Sequence, residues 1–215
     1  MINFKPSLIL QETIGTLPQS SMVFLSIFAR MKNHIGQLIY ALFRWKIETK
    51  VPLESFKKSV LIAAPHTSNW DLVFSLAGFW ILQLNIKFFI KNKHTQSWYG
   101  WLLKFLGAIG VNRPQRNNLT QYVINLFNEK DQFILMVPAE GSRKRVTRWK
   151  TGFYYIAQGA GVPIALGALD YRSRTASVNK ILYPRGNFKE DMKIIEAHYQ
   201  KYTGKYPENF NPKIF

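Results

Sequence analysis

His66 and Asp71 stand five residues apart in Ala64-Pro65-His66-Thr67-Ser68-Asn69-Trp70-Asp71, and together they could move a proton. A neutral imidazole is the usual general base near neutral pH, and a carboxylate beside it can fix its tautomer and orientation. The spacing imposes a condition. On one regular helix the two side chains would diverge by about 140°. They meet only if His66 lies in a loop and turns back onto Asp71 in the first turns of the next helix; Pro65, Ser68 and Asn69 favour that geometry. An acid in a first helical turn also suits the helix dipole with no catalytic duty.

Two more polar clusters sit in apolar surroundings. Gly107-Ala108-Ile109-Gly110-Val111-Asn112-Arg113 ends a tight glycine-bearing run on a guanidinium, which can fork onto a phosphate or stand as a solvated cation. Val137-Pro138-Ala139-Glu140-Gly141-Ser142-Arg143 places an acid, a flexible glycine, a hydroxyl and a guanidinium after an apolar run. Glycine there lets backbone N–H groups approach an anion, and Arg143 adds charge; a solvated polar turn is the plainer alternative.

The elements that must position these clusters alternate. Residues 59–64 form an apolar run ending at Pro65, which fits a buried strand that delivers His66 to the carboxyl edge of a sheet, where open α/β folds place their sites. Further strands are expected at 86–90, 108–111, 133–137, 163–170 and 178–183. Helices are expected from Ser68 or Asn69 onward and at 96–106, 119–128, 152–159 and 190–202. This pattern argues an α/β fold, a single domain over 51–215 with a largely parallel central sheet flanked by helices. Before it, residues 1–50 form an N-terminal extension, loosely ordered over 1–20. Val23, Phe24, Ile27, Phe28 and Met31, then Ile35, Leu38, Ile39, Leu42 and Phe43, recur at three and four residues. They predict an amphipathic helix, or two broken near Asn33 to Gly36, whose stripe packs on the domain or lies in a bilayer interface.

Composition narrows the partners. The 29 basic and 12 acidic residues give a net charge of +17, which favours polyanions: nucleic acid, an anionic bilayer or phosphorylated substrates. Rings stand beside cations in Phe43-Arg44-Trp45-Lys46 and Arg148-Trp149-Lys150, as suits headgroup depth at a bilayer or stacking on single strands. The chain has no cysteine, which excludes disulfides, thiolate metal sites and cysteine nucleophiles. The four histidines share no ligand-like spacing, so no metal is expected. The best candidate for a span, the uncharged apolar run 72–86, is too short to cross a bilayer, and the N-terminus lacks the pattern of a secretory signal. A chain adhering to the cytoplasmic face of a membrane is expected.

His66 and Asp71 with four residues between them, the Gly107 to Arg113 block, Glu140-Gly141-Ser142-Arg143, and Val162-Pro163-Ile164 follow the order of four blocks in the glycerolipid acyltransferases. Over residues 60–171 the chain resembles that family, in particular bacterial 1-acylglycerol-3-phosphate acyltransferases. The resemblance implies transfer of a fatty acyl chain from acyl-CoA or acyl carrier protein to the hydroxyl of a lysophosphatidic-acid-type acceptor in phospholipid biosynthesis. It implies no cofactor, with the thioester as co-substrate, and no nucleic-acid partner. His66 would be the general base, oriented by Asp71. Arg113 and Arg143 would hold the acceptor phosphate, Glu140 and Gly141 would shape that pocket, and Pro163 would support it or the acyl-chain path. Ser142 replaces the more usual Thr and keeps its hydroxyl, while Ala139 stands where Pro is common. Trp70 beside Asp71 points to a small bacterial subgroup. Two other readings remain: an acyltransferase for a lipid acceptor without phosphate, and a basic, non-catalytic membrane- or nucleic-acid-binding protein.

Overall fold

The computed structural model describes residues 19–111 and 119–214, with side chains from residue 26. Residues 1–18, whose loose order was expected, lie outside this range, as do the side chains of Val23 and Phe24. The expected strands and helices organise around one seven-stranded sheet. In chain order its strands are β1 (Lys46–Thr49), β2 (Lys58–Ala63), β3 (Ile86–Lys91), β4 (Ala108–Val111), β5 (Phe133–Val137), β6 (Ile164–Asp170) and β7 (Thr175–Leu182). Their spatial order is β1-β7-β6-β2-β5-β3-β4, with every pairing parallel except β6 with β7.

The central strands are buried on both faces, so they read as continuous apolar runs rather than alternating ones. In β2, Val60 and Ile62 face one side and join Leu135, Ile164 and Leu166 in the larger core, under the helices α5 (Leu119–Asn128), α6 (Gly152–Ala160) and α7 (Phe188–Tyr199). Leu61 faces the other side, with Ile134, Met136 and Ala165, under α2 (Trp70–Ile81). A side chain that steps across the pleat at every residue dictates this division.

A third layer covers α2. The N-terminal stripe forms one continuous 25-residue helix, α1 (Gln19–Phe43), with no break between Asn33 and Gly36. Those two residues look like interrupters in sequence but make the helix crossing. A Cβ on Gly36 would stand 2.6 Å from the Ala77 carbonyl oxygen. The Asn33 amide donates to the Ile81 carbonyl at 3.1 Å, at the end of α2, and the Tyr40 hydroxyl donates to the Phe74 carbonyl at 2.9 Å.

Two other expectations need correction. The helix expected over 96–106 is two pieces, α3 (Asn92–Thr95) and α4 (Gly100–Phe105). The Thr95 and Ser97 hydroxyls donate back to the carbonyls of Asn92 and His94, at 2.8 and 2.6 Å, and compete with the helical ladder. Strand β1, inside the stretch assigned to the N-terminal extension, was not anticipated; it pairs with β7 at the sheet edge, where Lys46 lies opposite Thr175.

Candidate active site

Strand β2 ends at Ala63, and the chain turns through Pro65 into the loop that carries His66. This loop satisfies the geometric condition set by the spacing. His66 Nδ1 lies 3.1 Å from Asp71 Oδ2. The same oxygen accepts the backbone N–H groups of Thr67 and Ser68 at 2.8 and 2.9 Å, so Asp71 folds the loop back onto the first turn of α2. Asn69, a residue that favours capping, makes no side-chain cap here. The carboxylate of Asp71 and the Ser68 hydroxyl, which accepts Trp70 N–H at 3.2 Å, take that duty.

Glu140 meets this loop from strand β5. Its Oε2 accepts the His66 backbone N–H at 2.7 Å, and the residue is 2% exposed. Burial pushes its carboxyl up to about 8, opposed by the bond from His66 and reinforced by the nearby Asp71 charge. The acid expected to shape a phosphate pocket is thus sealed beneath the loop and tethers the main chain of His66. Its other oxygen, Oε1, has no partner.

Gly141 follows at φ +66°, a conformation that favours glycine, and its chain turns Ser142 and Arg143 outward. The Ser142 hydroxyl accepts Lys144 N–H at 3.1 Å. Gly141, Ser142 and Arg143 line one cavity with His66 and Asp71. Pro163 does not join them. It precedes β6 at the amino end of the sheet, where its carbonyl accepts Val60 N–H at 3.0 Å, whereas His66 follows the carboxyl end of β2. Arg113 lies outside the described residues. The glycines of its block have packing reasons: Gly107 lies against the Ile86 carbonyl at φ +104°, and Gly110 against Thr95 and Asn92.

The cavity has a volume of about 760 Å³. Polar groups surround His66 at one side, and the space continues between α2 and the sheet along Leu61, Phe79, Phe88, Met136 and Val178. Such an amphipathic hollow suits a long apolar chain with a polar end. Lys91, the last residue of β3, lines it with Arg143.

Tyr171 escaped the sequence reading. Its hydroxyl donates to Asp71 Oδ1 at 2.7 Å across a separation of 100 residues. Burial and the Asp71 carboxylate push the phenol far above its ordinary range, so it remains a donor. Tyr171 follows β6 as His66 follows β2 and Glu140 follows β5, and that shared position at strand ends is the signal that could have found it. Lys91 carries the same signal. The turn bearing Tyr171 is fixed by its N–H donating to the Thr203 carbonyl at 2.9 Å and by Asp170 accepting Thr203 N–H at 3.0 Å.

A histidine tethered by its main chain, with a carboxylate on Nδ1, lines an amphipathic cavity and could take a proton there. Residues 44–165, more than half of the chain, match the family model described as Acyltransferase. The chain belongs to the acyltransferase family. It is an enzyme of that kind, and the glycerolipid acyltransferase resemblance drawn from the four sequence blocks agrees with this match. Its fold is similar to the crystal structure of the 1-acyl-sn-glycerophosphate (LPA) acyltransferase PlsC from Thermotoga maritima. The TM-score is 0.55 and the identity 12%, over 80% of this chain and 79% of that one. No curated protein gives a significant sequence match. Among the described residues, no group of three or more His, Asp or Glu side chains is placed to hold a metal ion.

Proposed function

We propose that this acyltransferase moves a fatty acyl chain from a thioester, acyl-CoA or acyl carrier protein, to the hydroxyl of a lysophosphatidic-acid-type acceptor. The observation that carries this reading is the 3.1 Å contact of His66 Nδ1 with Asp71, at the mouth of a cavity that is polar at one side and apolar beyond. With Nδ1 engaged, Nε2 is the nitrogen that takes the acceptor hydroxyl proton. The oxygen attacks the thioester carbonyl carbon as its proton passes to Nε2. The C–S bond then breaks, the acyl–oxygen ester remains, and the leaving thiolate takes the proton back from the imidazolium. Asp71 stabilises that imidazolium, and no acyl-enzyme is formed.

The acyl chain lies in the hollow between α2 and the sheet. Arg143 and Lys91 meet the acceptor phosphate, with Arg113 assigned to the same phosphate by family resemblance. Work at a membrane face is supported by exposed apolar side chains: Ile27, Leu38 and Leu42 on α1 are 58%, 69% and 73% exposed, and Trp98 just before α4 and Trp101 in its first turn are 88% and 70% exposed. An apolar stripe with interfacial tryptophans suits a helix lying in the headgroup region. Among the described residues no helix is long and apolar enough to cross a bilayer.

The test is turnover of purified protein with acyl-CoA or acyl carrier protein and lysophosphatidic acid, against neutral lipid alcohols. Loss of general-base catalysis in His66→Ala should lower kcat by at least about 100-fold while the fold persists. Full turnover in that variant refutes the proposed base. Arg143→Ala should raise the KM for lysophosphatidic acid and leave neutral acceptors unaffected; an unchanged KM removes the phosphate role.

A further inference from the structure

A second cavity of about 460 Å³ opens on the other side of Tyr171 from the His66–Asp71 pair. Its walls are aromatic: Trp45 and Phe74 stack with ring centroids 4.3 Å apart, and Trp70 lies over Phe74 at 5.8 Å. Arg44, Arg174 and Lys205 also line it, no acidic side chain does, and none of the three pairs with an acid among the described residues. Arg44 and Arg174 both hold left-handed backbone, at φ 56° and 51°, where glycine would be free of strain. The two are brought together through β1, since the Arg174 carbonyl accepts Lys46 N–H at 2.8 Å. The left-handed backbone of Arg44 caps α1, with Trp45 N–H donating to the Tyr40 carbonyl at 2.8 Å, and that of Arg174 closes the turn between β6 and β7. Two arginines and a lysine lining an aromatic wall with no acid to answer them suit an anionic ligand.

The shape of the surroundings identifies the anion. Leu42, 73% exposed, lines the same cavity and continues the exposed stripe of α1 through Leu38. An anion site at the end of an apolar stripe matches an amphiphile. We propose that this cavity binds the phosphate headgroup of an anionic membrane phospholipid, with its acyl chains lying along Leu38 and Leu42. The guanidinium groups fork onto the phosphate, and the rings of Trp70 and Phe43 sit at headgroup depth. The inference rests on the interfacial reading of α1 given above.

Tryptophan fluorescence of the full-length protein, titrated with dihexanoyl phosphatidylglycerol below its micellar concentration, tests it. Binding should be saturable. The double substitution Arg44→Gly with Arg174→Gly, which relieves both backbones, should weaken it by roughly 25-fold, about fivefold for each cation. Lys205→Ser should weaken it about fivefold on the same basis, and serves as a second variant if the double one fails to fold. Lys189→Ser with Lys193→Ser, on α7 across the sheet, should leave binding intact. The proposal is overturned if the glycine pair binds like the parent, if the α7 pair weakens binding equally, or if inorganic phosphate competes as well as the lipid. The readout is binding rather than turnover. His66→Ala should therefore keep the site, and turnover surviving that substitution would count against the proposed reaction and not against this cavity.

Discussion

Replacing Glu140 by glutamine should change how stability depends on pH, because the native carboxyl is buried at 2% exposure and pushed from an ordinary 4.5 to about 8. Between those values the folded chain keeps a proton that the unfolded chain has released. Stability therefore falls as pH rises through that window and levels off above about 8. The slope from this one group is about 1.4 kcal/mol per pH unit, and the whole span caps the loss at roughly 5 kcal/mol. In Glu140→Gln the amide oxygen can still accept His66 N–H, while nothing titrates. Its NH₂ takes the place of Oε1, which has no partner, so the substitution carries a pH-independent cost of about 1–3 kcal/mol. Urea unfolding of parent and variant at pH 5.5, 6.5 and 7.5 measures the difference. It should move in the variant's favour by about 3 kcal/mol from the lowest to the highest pH, with unchanged m-values. Parallel profiles, or a parent that gains on the variant as pH rises, would refute the reasoning, since both require an ionised Glu140 in the folded chain.

Tyr171→Phe removes the donor 2.7 Å from Asp71 Oδ1; it should lower kcat about tenfold, at about 1.4 kcal/mol, with KM nearly unchanged in steady-state assays. A change confined to KM would mean the hydroxyl touches substrate instead of positioning the carboxylate. Gly36→Ala forces a methyl to within 2.6 Å of the Ala77 carbonyl oxygen and should cost about 1–3 kcal/mol, read as a lower Tm. Val178→Phe adds a ring to the apolar wall of the main cavity and should shift acyl preference toward shorter chains, checked with a thioester series. Each methylene excluded should cost about 0.8 kcal/mol, a factor of about four in kcat/KM.

Much of this architecture is local and therefore legible in the chain. Strands β4 and β5 and helix α5 occupy the spans expected for them, because periodicity and flanking turn residues act over a few positions. The clustering of His66, Asp71 and Glu140 to Arg143 at one sheet edge follows from each standing just past an apolar run in a parallel sheet. What the chain could not display is which distant groups meet there. Glu140 takes the His66 N–H from 74 residues away, and Tyr171 reaches Asp71 from 100 away. Asn33 and Gly36, read as a possible break, allow α1 to cross α2 closely, and Pro163 ends up at the sheet edge opposite His66. Propensity and pattern are properties of neighbours along the chain. A hydrogen bond to a remote main-chain group, or a carbonyl that leaves no room for a Cβ, exists only once the layers have packed.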